Sequence, residues 1–133
     1  MNHVLIVEDD RTHRAMTQEI LTDLGFKVTT ADNGFTALSK ISSNPQGFAC
    51  ILMDWEMPEM DGLETVRSIR ANQVEDGWPY IPIIAFTSNK QPGDEEQCLA
   101  AGMDGYLSKD LFFPKWRKEL QQKLSGWIES HDS

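Results

Sequence analysis

Five short apolar runs recur along the chain, and a helical pattern follows each of them. The runs are "HVLIV" from His3, "KVTTA" from Lys27, "FACILM" from Phe48, "IPIIAF" from Ile81 and "DGYLS" from Asp104. Between them, "RTHRAMTQEILTDL" sets Met16, Ile20 and Leu24 four apart, and "NGFTALSKI" sets Phe35, Leu38 and Ile41 three apart, which are spacings of one helical face. Gly25 stands at the usual stop position after the first of these helices. "DGLETVRSIRAN" opens on Asp61 with Glu64 three residues later, a capping-box-like start, and its face is Leu63, Val66 and Ile69/Arg70. "GDEEQCLAAG" reads as a short helix that stops at Gly102. "FPKWRKELQQKLSGWI" repeats Phe113, Trp116, Leu120, Leu124 and Trp127 at three- and four-residue steps, with Pro114 near the start, where a missing N–H does no harm. Strands alternating with helices in one small domain imply a parallel sheet with helices on both faces. Right-handed crossovers then make it a doubly wound α/β sandwich. The third run is apolar throughout, as a strand covered on both faces must be; the second alternates with polar residues and belongs nearer an edge. A length of 133 residues favours a single domain over 1–133.

Charge and cysteine content narrow the function classes. The net charge of −9 opposes direct DNA or RNA binding, because a phosphate backbone demands a basic footprint. It equally opposes an anionic membrane surface, and no apolar run is long enough to span a bilayer. Cys50 lies inside an apolar run and reads as core; two cysteines, Cys50 and Cys98, make no disulfide framework, and no signal-peptide pattern precedes them. A reducing cytoplasm is the expected compartment.

In open parallel sheets, sites form outside the carboxyl ends of the strands. The first run ends on Glu8, Asp9 and Asp10, the third on Asp54, the fourth on Thr87 and Ser88, and the fifth on Ser108 and Lys109. Acids, a hydroxyl and an ammonium are thus delivered to one edge. Two carboxylates about 4 Å apart repel by roughly 4 kcal/mol at an effective dielectric of about 20, so clustered acids need compensation. One lysine is too little, whereas a hard divalent cation suffices. Mg²⁺ takes one or two carboxylates and completes its shell with water and phosphate oxygens. Lys109 and Thr87 then offer a charge and a donor to the same phosphoryl group. Asp54, set apart on its own strand, is the natural nucleophile, since an aspartate can carry a phosphoryl group as an acyl phosphate.

The motifs "VLIVEDD", "ILMDWEMPEMDG", "IIAFTSN" and "AAGMDGYLSK" occur in that order, and together the chain resembles the receiver domain of two-component response regulators over about residues 3–128. The resemblance implies a flavodoxin-like (βα)5 sandwich of five parallel strands ordered 2-1-3-4-5. It makes Asp54 the phosphoacceptor and Asp9 a direct ligand of Mg²⁺ (or Mn²⁺). Glu8 acts on the metal through water, and the backbone carbonyl of Glu56 completes the shell. Thr87 bonds the phosphoryl group, Lys109 pairs with it, and Tyr106 is the switch aromatic. The implied donor is a phosphohistidine on a sensor histidine kinase or a histidine phosphotransfer domain, with a downstream protein partner reading helix four, strand five and helix five. The implied role is a switch rather than a conventional enzyme, with self-dephosphorylation expected. In style the chain is closest to receivers of hybrid sensor kinases. As a bare side chain, Tyr106 reads equally as half-buried packing on an edge strand.

Two features depart from the family pattern. Asp110 replaces the usual proline after Lys109, so the Lys109–Asp110 bond is either trans with a rerouted loop or retains strain. Pro92-Gly93 stands where the fourth helix should begin, which predicts a late or short helix. Three other readings compete. A phosphatase with an aspartyl nucleophile wants a general acid and a cap, and Glu56 is the nearest acid. A nucleotide binder wants a glycine-rich loop where "EDDRTHR" stands. A receiver-like module that no longer signals by phosphate would not need the complete acid, threonine and lysine set.

Overall fold

The computed structural model describes residues 3–54, 62–87, 94–108, 118, 121–122 and 124–126. The elements run β1 (His3–Val7), α1 (Arg11–Asp23), β2 (Lys27–Ala31), α2 (Gly34–Ser43), β3 (Cys50–Met53), α3 (Gly62–Glu75), β4 (Ile83–Thr87), α4 (Asp94–Ala101) and β5 (Gly105–Ser108). The five strands form one sheet in the order β2-β1-β3-β4-β5, and every pairing is parallel. The reversal of strand order lies between β1 and β3, which places their carboxyl ends side by side.

Hydrophobic pattern decides the layers. β1 and β3 are interior strands whose apolar residues bury on both sheet faces, and β2, with its exposed Lys27 and half-buried threonines, is an edge. On one face Leu5, Ile51 and Ile83 meet Ala37 and Ile41 of α2, Val66 and Ile69 of α3 and Cys98 of α4. On the other, Val4, Ile6, Leu52 and Ile84 meet Ile20 and Leu21 of α1 together with Leu124. Leu124 belongs to the last helical stretch expected from the sequence. Residues 118, 121–122 and 124–126 are helical there, while Phe113, Trp116, Leu120 and Trp127 lie outside the described residues. Cys50 is fully buried, and desolvation holds its thiol far above the ordinary range, so it is inert core.

Local chemistry sets the boundaries. The Asp10 carboxylate caps α1 by accepting from the His13 amide at 2.9 Å, and Asn33 caps α2 by accepting from Thr36 at 2.8 Å. α1 ends in a Schellman turn: Phe26 N–H donates to Leu21, Gly25 N–H donates to Thr22, and Gly25 has φ +96°. α4 ends the same way at Gly102.

Several boundaries differ from the sequence pattern. β3 starts at Cys50 rather than Phe48, and β4 at Ile83 rather than Ile81, because Pro82 has no N–H to donate to a ladder. β4 also runs on through Thr87, and α3 continues to Glu75, three residues past the pattern. Phe35 is not on the buried face of α2. Ala37 and Ile41, four apart, take that face with Leu38 beside them, and Phe35 is 55% exposed. α4 begins at Asp94, after Pro92-Gly93, and spans eight residues, so the short helix expected there is what forms.

Candidate functional site

The site is built where β1 and β3 end. The ladder continues past both strands: Glu8 N–H donates to Ala31 at 3.0 Å, and Asp54 N–H donates to Val7 at 2.8 Å. These bonds hold the two residues at the sheet edge, with Glu8 4% and Asp54 9% exposed, while Asp9 lies in the open. Carboxylate oxygens of Glu8, Asp9 and Asp54 all fall within 4.8 Å of one another. Of the three acids that end β1, Asp10 turns away to cap α1, and the other two join Asp54.

At that spacing a pair of like charges repels by about 3 kcal/mol for an effective dielectric of about 20. Burial of Glu8 and Asp54 weakens the screening between those two, while Asp9 stays open to solvent and salt. The donor set is oxygen only and its charge is threefold negative, the chemistry of a site for a hard divalent cation and not for zinc or copper. The residues present therefore fit Mg²⁺.

The other predicted site residues fall as follows. Thr87 is the last residue of β4, level with Ser108 of β5, at the same carboxyl edge; its side chain is outside the described residues. Glu56 and Lys109 are also outside them, as are Asp61 and the Lys109–Asp110 bond. Tyr106 sits on β5 opposite Ala85, half-buried, with its ring packed on the core that α2, α3 and α4 cover.

Sequence reasoning passed over Arg14. Its guanidinium Nη1 donates to the backbone carbonyl of Glu8 at 3.0 Å and reaches that of Asp9 at 3.5 Å. A signal for it existed. A cation in the first turn of a helix opposes the helix dipole, and its presence there asks for a reason.

Residues 4–121 match the family model described as response regulator receiver domain. The chain belongs to that family. This receiver is 35% identical over 124 residues, 93% of the chain, to the sensor histidine kinase GacS of Pseudomonas protegens, of which it spans 13%. It is 36% identical over 133 residues, 98% of the chain, to hybrid signal transduction histidine kinase I of Dictyostelium discoideum, of which it spans 8%. The chain is thus a small part of the length of the curated relatives it matches. Among solved structures it is similar to the receiver domain of a sensor histidine kinase from Pseudomonas aeruginosa PAO1, which has a magnesium ion coordinated in its active-site cleft. That likeness has a TM-score of 0.77 and 36% identity over 96% of this chain and 98% of the other. It is also similar to the chemotaxis protein CheY4 of Vibrio cholerae, with a TM-score of 0.78 and 31% identity over 93% of this chain and 98% of that one. A receiver domain of two-component phosphorelay systems is a signalling domain and not a conventional enzyme. Among the described residues no helix is long and apolar enough to cross a membrane.

Proposed function

We propose that the whole of residues 1–133 acts as one phosphoacceptor domain in which Asp54 takes a phosphoryl group from a phosphohistidine. The donor would sit on a sensor histidine kinase or a histidine phosphotransfer domain. The observation that carries this reading is the convergence of Asp54, alone at the end of β3, with Glu8 and Asp9 from the end of β1. An Asp54 oxygen attacks phosphorus, the P–N bond breaks as the P–O bond forms, and the imidazole leaves with the electron pair. Water later cleaves the acyl phosphate, restoring the carboxylate and releasing inorganic phosphate. Glu56 and Asn89, each two residues beyond Asp54 and Thr87, hold the positions that flank the attacking water in receiver domains, and in this reading their chemistry sets the rate of that hydrolysis.

Asp9 and Asp54 would ligate Mg²⁺, or Mn²⁺ in its place, with the Glu56 carbonyl, and Glu8 would act through a water. When bound, the ion neutralises charge on the carboxylates and on the phosphoryl oxygens. Lys109 pairs with the phosphoryl group and Thr87 donates to one of its oxygens. As Thr87 is drawn to the phosphoryl group, Tyr106 follows inward, and the surface of α4, β5 and the last helix changes for a downstream protein partner. Cys50 and Cys98 are both buried and in no disulfide, which fits work in a reducing cytoplasm.

Incubation with acetyl phosphate and Mg²⁺, followed by intact-mass measurement, should show one added phosphoryl group. Asp54→Ala should abolish the addition and Asp61→Ala should retain it. The reverse pattern would sink the assignment.

A further inference from the structure

We propose that Arg14 is a positioning residue for the acid site, holding the backbone of Glu8 and Asp9 in the bend that turns both carboxylates toward Asp54. The proposal rests on the reading of these acids as the cation site. The sheet secures Glu8 through Ala31 and Asp54 through Val7, both by backbone ladder bonds. Asp9 is one residue beyond that ladder and exposed, on a loop that must reverse within Glu8, Asp9 and Asp10 to enter α1. Arg14, one turn into α1, reaches back to the two carbonyls that flank the Asp9 peptide, Glu8 at 3.0 Å and Asp9 at 3.5 Å. The first is a normal hydrogen bond and the second is at its long limit. Asp10 ties the same loop from the other side, its carboxylate accepting from His13 and its amide lying 3.4 Å from Glu8 Oε2. The loop is thus clasped between a helix cap and a guanidinium.

Two effects of Arg14 oppose each other, and their sizes decide the prediction. As a positive charge it repels a cation bound by the acids. Arg14 lines an open cleft of about 290 Å³ with Thr30, Asp32, Thr36 and Lys40, so solvent and Asp32 screen that repulsion. Arg14 is partly buried but faces that open cleft, and a charge so placed at the surface contributes about 0–1 kcal/mol. As a partner that orients ligands, its loss should weaken metal binding by about tenfold or more. The positioning effect is larger, and it has the opposite sign.

The test is Mg²⁺ binding to the unphosphorylated protein, read from amide NMR shifts of Glu8, Asp9 and Asp54 during MgCl₂ titration. Arg14→Ala should bind Mg²⁺ about tenfold more weakly, with most amide positions elsewhere unmoved. Arg14→Lys keeps the charge but ends in an ammonium with a shorter reach than Nη1, and should fall between Ala and wild type. It also decides the matter if Arg14→Ala does not fold. Arg14 variants that bind Mg²⁺ as well as wild type, or more tightly, overturn the proposal. Asp9→Asn separates the two levels. If wild type binds and Asp9→Asn does not, the cation site stands whatever Arg14 does. If wild type itself shows no Mg²⁺-dependent shifts, the site reading and this inference fall together.

Discussion

Asp104 and Asp54 lie at opposite ends of the same parallel sheet, and their surroundings are opposites too. Asp104 precedes β5 at the amino edge. Its carboxylate accepts from Arg70 Nη2 at 2.9 Å, from the Ile83 amide at 2.8 Å and from the Tyr80 hydroxyl. Arg70 in turn donates to the carbonyls of Gly102 and Ile81, both at 2.9 Å, and stacks 4.3 Å from the centre of the Tyr80 ring. One planar cation thus joins α3 to the segment before β4 and to the turn after α4. Asp54 follows β3 at the carboxyl edge and shares its space with two like charges. A carboxylate held by well-placed partners of opposite sign is a fastener, whereas a carboxylate set beside two others offers the oxygen donors that a cation needs. The sheet fixes both through backbone hydrogen bonds.

The largest effect should come from cutting the fastener. Asp104→Ala leaves the Arg70 guanidinium, whose side chain is 18% exposed, without its carboxylate, and the Ile83 amide without its acceptor. A loss of about 3 kcal/mol is expected, read as a lower urea midpoint at unchanged slope. Mg²⁺ affinity should not move; a parallel loss of it would erase the division between the two ends.

Gly102→Ala should be next. Gly102 has φ +110°, and a Cβ there would lie 3.2 Å from Arg70 Cγ, so strain and contact act together and about 2 kcal/mol is expected. Gly25→Ala has φ +96° but open space around it, and should lose only about 1 kcal/mol. Equal losses in thermal melts would show that the Arg70 contact adds nothing.

At the other end, Asp54→Asn should raise stability without divalent ions by about 1 kcal/mol, the screened remnant of a like-charge repulsion. The gain should shrink in high salt, and Mg²⁺ should stabilise wild type more than the variant. Destabilisation by Asp54→Asn in chelator would mean that the acids are not repelling one another.

The smallest effect concerns Tyr80. Burial first, and then its hydrogen bond to Asp104, raise the Tyr80 pKa above the ordinary value. Folding therefore favours the protonated phenol. Its contribution is complete below the unfolded tyrosine pKa of about 10, and is lost as pH rises through the higher folded value. Tyr80→Phe should flatten that alkaline decline in a pH series of urea melts. A wild-type decline equal to the variant's would remove Tyr80 from the fastener.

The two ends were not equally legible beforehand. Glu8, Asp9 and Asp54 announce themselves because each ends an apolar run, and a parallel sheet gathers the ends of its runs at one edge. Arg70, Tyr80 and Asp104 belong to three separate segments, and nothing in their spacing says that they meet. Arg14 is similar: the helix it stands on was plain, but the direction of its guanidinium was not.

The order of residues along the chain therefore determined a good deal by itself. Alternating apolar runs and helical faces specify five strands and the α/β class, an all-apolar run specifies an interior strand, and Gly25 and Gly102 mark helix ends. These follow from local periodicity and backbone sterics, which neighbours in sequence decide. Tertiary structure decided which face of α2 is buried, leaving Phe35 in solvent while Ala37 and Ile41 pack. It decided that Asp10 caps a helix while Asp9 turns to the site, and that Arg70 finds Asp104. Those outcomes depend on distances between segments far apart in the chain, and such distances exist only once the sheet has brought the segments together.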